Sequence, residues 1–374
     1  MKILKKTKFI PAVLCTCAAA VLVCVGIARH AHRLNAPEKA VRDSLMLIEQ
    51  QGSKDAADLF APSASGAQSA SFSDLSDTGR EALRAYFSGF SFRILDSHID
   101  GETAAVDVEA TGFDADALAR SIRKTQLRQE YNEKLSDDES TLSSDGQEDQ
   151  IYTLMKNALS SGSFQKTATR ETIHLTKNKG DWTVVSDSAL RTLLTGGLIE
   201  KLNDPDLLSP NDVLSVYLDR YKTLSPQEWA EELNSPDLFQ ISSQDSEKLN
   251  DLYYQKAADV FKYTIEEVRT EGSVAQASIQ VTVVNMSSVL SSYHQKLIDY
   301  AKTTDSITAD DSALSGKSVL LLREALEENA DPKTVPVSIR LENRKSGWQI
   351  VDTSGLTNAL LGDMPAAADL FHES

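Results

Sequence analysis

The sequence predicts an α+β protein made of two tandem rolls, each a curved antiparallel sheet with packed helices, after one N-terminal hydrophobic helix. Its 374 residues exceed the length of one ordinary domain, about 100–150 residues. A composition of 41% hydrophobic and 25% charged residues is globular, which excludes collagen-like and wholly disordered chains. The same series of helical and alternating apolar patterns also occurs twice along the chain, which predicts two similar units.

The first element is an uncharged run over residues 9–28, preceded by lysines 2, 5, 6 and 8. Twenty helical residues span the hydrocarbon layer of a bilayer, about 30 Å. The basic flank predicts that the N-terminus stays in the cytoplasm and that the rest lies outside. The run is longer than the apolar region of a cleaved signal peptide, about 7–15 residues, so an uncleaved membrane anchor is favoured. Secretion after cleavage near Ala28 and attachment to lipid remain the alternatives.

All three cysteines, Cys15, Cys17 and Cys24, lie inside this run. The exported part therefore has no disulfide and must be held by its core alone, as is common in Gram-positive bacteria. A zinc site is not predicted, because the cysteines have no second pair or histidine at ligand spacing.

The formal net charge is −17, and six of the 38 basic residues fall within residues 1–33, which contain no acid. The remaining chain is therefore still more acidic. Nucleic-acid binding requires a basic face to neutralise phosphates, so DNA and RNA are excluded as partners.

An internal repeat organises the chain after residue 36. Gly101 and Gly272 stand 171 positions apart within matching strand patterns, and Trp182 and Trp348 stand 166 positions apart within another pair. Order, spacing and residue type agree in four blocks, which predicts a tandem duplication with small deletions in the second copy. The predicted domains are residues 36–200 and 208–365, after an anchor or signal segment at 1–35.

Each copy begins with helices, predicted over 37–59 and 78–87 in the first and over 211–223, 226–233 and 248–262 in the second. Strands follow at 92–99 and 103–111, joined by an Asp100-Gly101 turn that suits a tight hairpin. Asp114 and Asn285 then occupy N-cap positions, each opening the first helix of a pair. Two further strands close the sheet, at 169–176 and 181–186 or 336–342 and 347–352, and a leucine-rich helix ends each copy.

The strand endings Gly180-Asp181-Trp182-Thr183-Val184-Val185 and Ser346-Gly347-Trp348-Gln349-Ile350-Val351, each followed by a leucine-rich helix, carry a family resemblance. With the element order, this pattern resembles the nuclear-transport-factor-2-like, cone-shaped α+β roll, in particular uncharacterised exported or lipoprotein-like domains of Firmicutes. The resemblance covers residues 36–200 and 208–365. It implies a fold and an extracytoplasmic setting but no single activity, since such folds host binders, scaffolds and enzymes.

The candidate catalytic residues have ordinary structural explanations. His98 and His174 do not recur in the second copy and are expected on strand surfaces. Enzymes of this fold place an acid or histidine inside the cone, and Asp96, Asp107 and Glu109 are the strand acids to consider. Asp107 alternates with Val106 and Val108, which predicts that it faces solvent.

Two further features of the sequence bear on ligand binding. Trp182 and Trp348 could stack a ligand, but equivalent positions in both copies favour core packing. The acidic stretch 130–149 is a weak calcium candidate, because a calcium loop needs acids at alternate positions before a glycine and Thr141 and Ser143 stand there before Asp145-Gly146. A solvated loop is favoured. No catalytic, cofactor-binding or metal-binding residue and no cofactor is therefore assigned.

The sequence favours a non-catalytic, membrane-anchored binding or scaffold protein of the bacterial cell surface, with a small-molecule or protein ligand whose identity the residues do not indicate. The alternative is an enzyme of hydrolase or isomerase type with its active site inside one roll. An acid or histidine facing the interior of one cone would favour that alternative.

Overall fold

The computed structural model describes residues 37–51, 76–133, 144–162, 164–185, 187–235, 238–239, 244–328 and 331–364. Within them the chain is an α+β protein with two four-stranded antiparallel sheets, which confirms the α+β class and the antiparallel sheets of the prediction. The chain divides into two compact units. Of the described residues, the first unit takes those up to Gln126 and those from 144 to Leu207, and the second takes 127–133 and those from Leu208 on.

The first unit begins with helices α1 (Pro37–Gln51) and α2 (Asp77–Phe87), then strands β1 (Ser91–Asp100) and β2 (Thr103–Phe113). Helices α3 (Ala115–Glu133) and α4 (Ser144–Ser161) follow, of which the last turns of α3 belong to the second unit. Strands β3 (Lys166–Asn178) and β4 (Asp181–Val184) complete the sheet, and helices α5 (Ser188–Thr195) and α6 (Leu198–Leu202) end the unit.

The second unit repeats this order from helices α7 (Pro210–Arg220), α8 (Pro226–Glu232) and α9 (Gln244–Val260). Strands β5 (Lys262–Glu271) and β6 (Val274–Val284) come next, then helices α10 (Met286–Ala301), α11 (Thr304–Thr308) and α12 (Asp311–Glu328). Strands β7 (Pro332–Arg344) and β8 (Gly347–Asp352) and helix α13 (Ser354–Leu360) close it.

The two sheets share strand order and irregularities. Their orders are β1-β2-β3-β4 and β5-β6-β7-β8. One extra residue interrupts the β1–β2 register at Leu95 and the β5–β6 register at Glu266, again 171 positions apart. Gly101 and Gly272 both turn their hairpins with φ of 59°, a left-handed conformation that glycine adopts without strain, so the predicted turn is confirmed.

Side-chain caps fix where several helices begin. Asp114 accepts hydrogen bonds from the backbone N–H of Asp116 and Ala117, and Asn285 accepts one from Ser288, which confirms both as N-caps. Helices α7 and α8 each start with a serine, a proline at the first position and a capping box, formed by Ser209 and by Ser225. These signals are local in sequence, which is why the predicted starts lie close to the observed ones.

One face of each central strand forms the core. On β2 and on β6, inward-facing residues alternate with residues that face solvent. The inward rows are Ala104, Val106, Val108 and Ala110 on β2, and Ala275, Ala277, Ile279 and Val281 on β6. Helices α1, α2 and α5 pack on β2, and α9 and α13 pack on β6. The small alanine side chains allow close approach of these helices, so the inward faces are filled by the protein's own side chains.

A buried tyrosine ties the helix before each hairpin to the end of the closing helix. The Tyr86 hydroxyl donates to the carbonyl of Thr195 at 2.7 Å, and the Tyr253 hydroxyl donates to the carbonyl of Leu360 at 2.9 Å. Burial raises the pKa of both phenols. Each tie satisfies a helix C-terminal carbonyl that has no partner within its own helix.

Two predicted segments fall wholly or partly outside the described residues. The predicted membrane span, residues 9–28, lies outside them, and no helix within them has the length and apolarity to cross a bilayer. The stretch 130–149 was predicted as a loop, but 130–133 are the end of α3 and 144–149 the start of α4, with 134–143 outside the described residues.

The predicted core role of Trp182 and Trp348 needs correction. Both side chains are only half-buried and pack at the margins of their hydrophobic clusters. Trp182 lies on β4 and Trp348 on β8, the edge strands of their sheets, so one side of each lacks a neighbouring strand. The fully buried tryptophan is Trp229 on α8, whose indole N–H donates to the carbonyl of Tyr221 at 3.1 Å.

We expect Trp229→Ala to destabilise the second unit by about 3–5 kcal/mol, the range for truncating a fully buried aromatic side chain. Trp348→Ala should cost less, because part of that side chain already contacts water. Urea unfolding of the full chain, followed by far-UV circular dichroism, measures both. Equal losses for the two variants would contradict the difference in burial.

Candidate functional site

Buried polar side chains are scarce in the described part of the chain. Only Ser44, Thr195, Arg220 and Asn250 are buried there, and Arg220 alone among them carries a charge. None of them lies on the inward rows of the two sheets. Arg220 is therefore the first group to examine for function, together with the strand residues that the sequence singled out.

The structure places the strand candidates on the outer face of the first sheet. His98 and His174 are exposed and lie opposite Ala105 on either side of it. Asp107 is exposed and accepts a hydrogen bond from the Thr172 hydroxyl at 2.7 Å. Asp96 pairs in register with Asp107 and is also exposed. These side chains share a solvated surface and not a cavity.

Glu109 lies between two arginines on the same outer face. The Nε groups of Arg93 and Arg170 each donate to one of its carboxylate oxygens at 2.6 Å. Hydrogen bonds from Arg93 and then from Arg170 hold the pKa of Glu109 below its ordinary value. Both arginines are more than half exposed, so these two ion pairs are cross-strand contacts at the surface and contribute little to stability.

His174 has one further partner, the N-cap of helix α5. Its Nδ1 lies 2.8 Å from a carboxylate oxygen of Asp187, whose other oxygen accepts the backbone N–H of Leu190. Partial burial acts to raise the pKa of Asp187, but the Leu190 N–H and His174 outweigh it and lower that pKa. A histidine oriented by a carboxylate resembles half of a catalytic triad, but here the carboxylate is occupied in capping a helix.

The strongest constellation is in the second unit, around the buried guanidinium of Arg220 at the end of α7. Its Nη1 donates to the carbonyl of Tyr131 at 2.9 Å, and its Nη2 forms an ion pair with Glu232. The rings of Tyr217, Tyr131 and Tyr221 lie around it, with centroids 4.9, 5.5 and 5.6 Å from its central carbon. We call these five residues the arginine cage.

The tyrosine hydroxyls of the cage complete the environment of the carboxylate. Tyr217 and Tyr221 donate to the same Glu232 oxygen at 3.0 and 3.3 Å. Burial, and then the charge of Glu232, raise the pKa of Tyr217 to about 12, and burial likewise raises the pKa of Tyr221. Both phenols are therefore neutral at physiological pH and act as hydrogen-bond donors.

The three aromatic rings of the cage contact a cation, and that cation is the side chain of Arg220 itself. Ion pairing, a carbonyl and three rings leave Arg220 surrounded, with its side chain 3% exposed. Such an arrangement offsets part of the cost of burying the charge, since the Arg220 Nε is buried without a hydrogen-bond partner, and it fixes the geometry of the groups around it. Its effect is to hold residues 127–133 in the second unit, where Leu127 and Tyr131 pack against the hydrophobic cluster.

Sequence reasoning missed Arg220 and Glu232. In the sequence, the helical spacing of Tyr217 and Tyr221 indicates only core packing. The available signal was that Arg220 follows Tyr217 by three positions and so shares its helix face. An arginine at the end of a helix is by default exposed, which is why the signal carried little weight.

No group of three or more histidine, cysteine, aspartate or glutamate side chains in the described ranges is arranged to hold a metal ion. The calcium alternative for 130–149 falls largely on residues outside those ranges.

No family model matches the sequence, and no curated protein matches it. Among solved structures, a candidate lipoprotein (ycdA) from Bacillus subtilis subsp. subtilis str. 168 is similar over 73% of this chain and 95% of that chain. The two share 10% sequence identity and the TM-score is 0.26. A TM-score this low carries no argument about fold or function.

We expect Arg220→Met to destabilise the second unit by about 3–5 kcal/mol, because it leaves the Glu232 carboxylate without its cation. In the double variant Arg220→Met, Glu232→Gln the loss should be well below the sum of the single losses, since neither charge remains. Urea unfolding of the parent, the two single variants and the double variant, all as the full chain, measures this double-mutant cycle.

A matched control is Arg323→Met, which breaks an exposed pair with Glu327 on α12 and should cost less than about 1 kcal/mol. Additive losses in the Arg220 and Glu232 cycle would show that the two side chains do not act as a pair.

Proposed function

We propose that the protein is a non-catalytic binding or scaffold protein of the bacterial cell surface, held in the membrane by residues 9–28, with both units outside the cytoplasm. We further propose that the units are nuclear-transport-factor-2-like, cone-shaped rolls that arose by duplication, within residues 36–200 and 208–365. The shared strand order, the extra residue at equivalent positions and the equivalent N-caps support the duplication.

The observation that carries the non-catalytic assignment is the filling of the inward faces. An enzyme of this fold needs a titratable group inside the cone. The inward positions of β2, β3, β6 and β7 are instead apolar and buried, as in Val106, Ile173, Ile279 and Ile339. His98, His174, Asp96 and Asp107 all face water. Partners are therefore met on outer surfaces, and the acidic charge argues against nucleic acid among them.

The absence of cysteine after residue 24 is compatible with the extracytoplasmic setting. The described residues are held by two apolar cores and by polar ties such as that of Tyr86, which do not depend on the redox state of the surroundings. Such a domain folds equally well on either side of a membrane.

Filling of the interior can be tested at Ala277, which is fully buried in the middle of β6. Ala277→Leu should destabilise the second unit by about 1–3 kcal/mol, because a packed core has no space for added methylenes. The control Ser278→Leu, one residue along on the solvent face, should change stability by less than about 0.5 kcal/mol. An Ala277→Leu variant as stable as the parent would reveal an open cavity and revive the enzyme alternative.

Membrane attachment and orientation can be tested in intact cells that produce the full chain. Protease added outside should digest both units and leave a membrane-embedded fragment. Ala19→Arg places a charge at the centre of the span at a cost of about 2.5–3.5 kcal/mol and should reduce membrane insertion, while Ala19→Leu should not. Units that resist protease until lysis would refute the orientation, and a mature chain beginning near Arg29 would refute the anchor.

A further inference from the structure

Residues 127–133, at the end of helix α3, cover one side of the arginine cage, and we call them the strap. Leu127 and Tyr131 are half-buried and pack against the hydrophobic cluster of the second unit. Arg128 is exposed and lies close enough to Asp219 of α7 for their charges to attract. The strap therefore lies at the margin of the second unit's core, since none of its three contacting side chains is fully buried.

The strap contributes one residue of the cage, Tyr131, and the other four residues satisfy one another. Arg220 forms an ion pair with Glu232. The same carboxylate accepts the hydroxyls of Tyr217 and Tyr221. Loss of the strap would expose one N–H of Arg220 to water and would leave no charge without its counter-charge. The site on α7 and α8 is therefore preformed, and a preformed site favours binding because little ordering is needed.

The site recognises the end of a helix. The Arg220 Nη1 donates to the backbone carbonyl of Tyr131 at 2.9 Å, and Tyr131 lies in the last turn of α3, where carbonyls have no partner within the helix. A cation there also meets the negative end of the helix dipole. The Tyr131 ring packs edge to face on Tyr217, with centroids 5.3 Å apart. The site thus fits the C-terminal end of an amphipathic helix with an apolar residue and, four positions later, an aromatic one.

The second unit shows that this fold does not require a strap. The helix that corresponds to α3 is α10, and it packs on α12 of its own unit, where Lys296 forms an ion pair with Glu328 at 2.9 Å. In the first unit α4 packs on α2 instead, and the end of α3 is received by α7. Docking of the strap is therefore an added feature of the first copy.

We infer that the strap is the internal occupant of a helix-docking site on α7 and α8, and that a helix of the same pattern from another protein displaces it. A partner's apparent affinity is reduced by the fraction of chains in which the strap covers the site. The inference rests on the proposed binding function, for which it names a site in the second unit. It does not depend on export or anchoring.

Fluorescence anisotropy with the detergent-solubilised full chain tests the inference. The probe is a fluorescein-labelled peptide of residues 119–133, which carries the strap sequence. The strap variant Leu127→Asp, Tyr131→Asp should uncover the site and bind the peptide about tenfold more tightly than the parent, or better. Tyr131→Ala, which removes only a half-buried ring, should give a smaller gain in the same direction. Far-UV circular dichroism checks that both variants remain folded.

Two matched controls accompany this comparison. Ile298→Asp with Lys302→Asp places the same acids at the corresponding, exposed positions of α10 and should leave peptide binding at the parent's level. A peptide with aspartate at positions 127 and 131 should bind neither the parent nor the strap variant.

Equal peptide affinity of parent and strap variant would overturn the inference, because the strap would then not cover a site. Tight binding of the aspartate peptide would overturn it as well. In sedimentation equilibrium, a parent dimer that is lost in the strap variant would show exchange of the strap between copies and not displacement by another protein. The peptide reports on this site alone, so a negative result would leave the proposed binding function at the outer surfaces untouched.

Discussion

Each unit depends on one constraint. A central strand buries a row of apolar side chains on one face and exposes its other face to water. The pleat makes this alternation strict, and a slip of one residue would turn Val106 and Val108 outward. Each buried valine is worth about 1.5–3 kcal/mol, so the register is strongly specified. The extra residue in β1 and in β5 falls at the same point, where the strand shifts register and Ile94 or Ile265 still contacts the core. The helices pack where they cover the apolar side chains of this row.

The two units differ in how they hold their polar groups. Position 217 is tyrosine and position 220 arginine, where the first copy has Ser44 and Leu47. The aromatic groups around Arg220 continue through Tyr221 to Trp229 and Phe261, with ring centroids 5.0 to 5.6 Å apart. The described residues contain no cysteine, so interlocked rings and a paired charge restrict this core to one packing arrangement.

The sequence predicted most of the elements because their signals are local. Hairpin turns at Gly101, caps at Asp114 and period-two strands each occupy a few consecutive residues. Burial depth was less predictable, since alternation shows which face Trp348 occupies but not that its strand lies at the sheet edge. The arginine cage was missed because it joins Tyr131 to Arg220 and Glu232, residues far apart in sequence and without a motif. Membership of residues 127–133 in the second unit depends on the same long-range contacts.

The position of residues 127–133 has a consequence for how the chain matures. The hydrogen bond from Arg220 to Tyr131 spans 89 residues. Chains are made from the N-terminus, so the end of α3 emerges long before α7 is available to receive it. Leu127 and Tyr131 remain in water during that interval, and the end of α3 finds its packing partners only when the second unit folds. A chain truncated near Leu207 would lack those partners and would expose this apolar helix end.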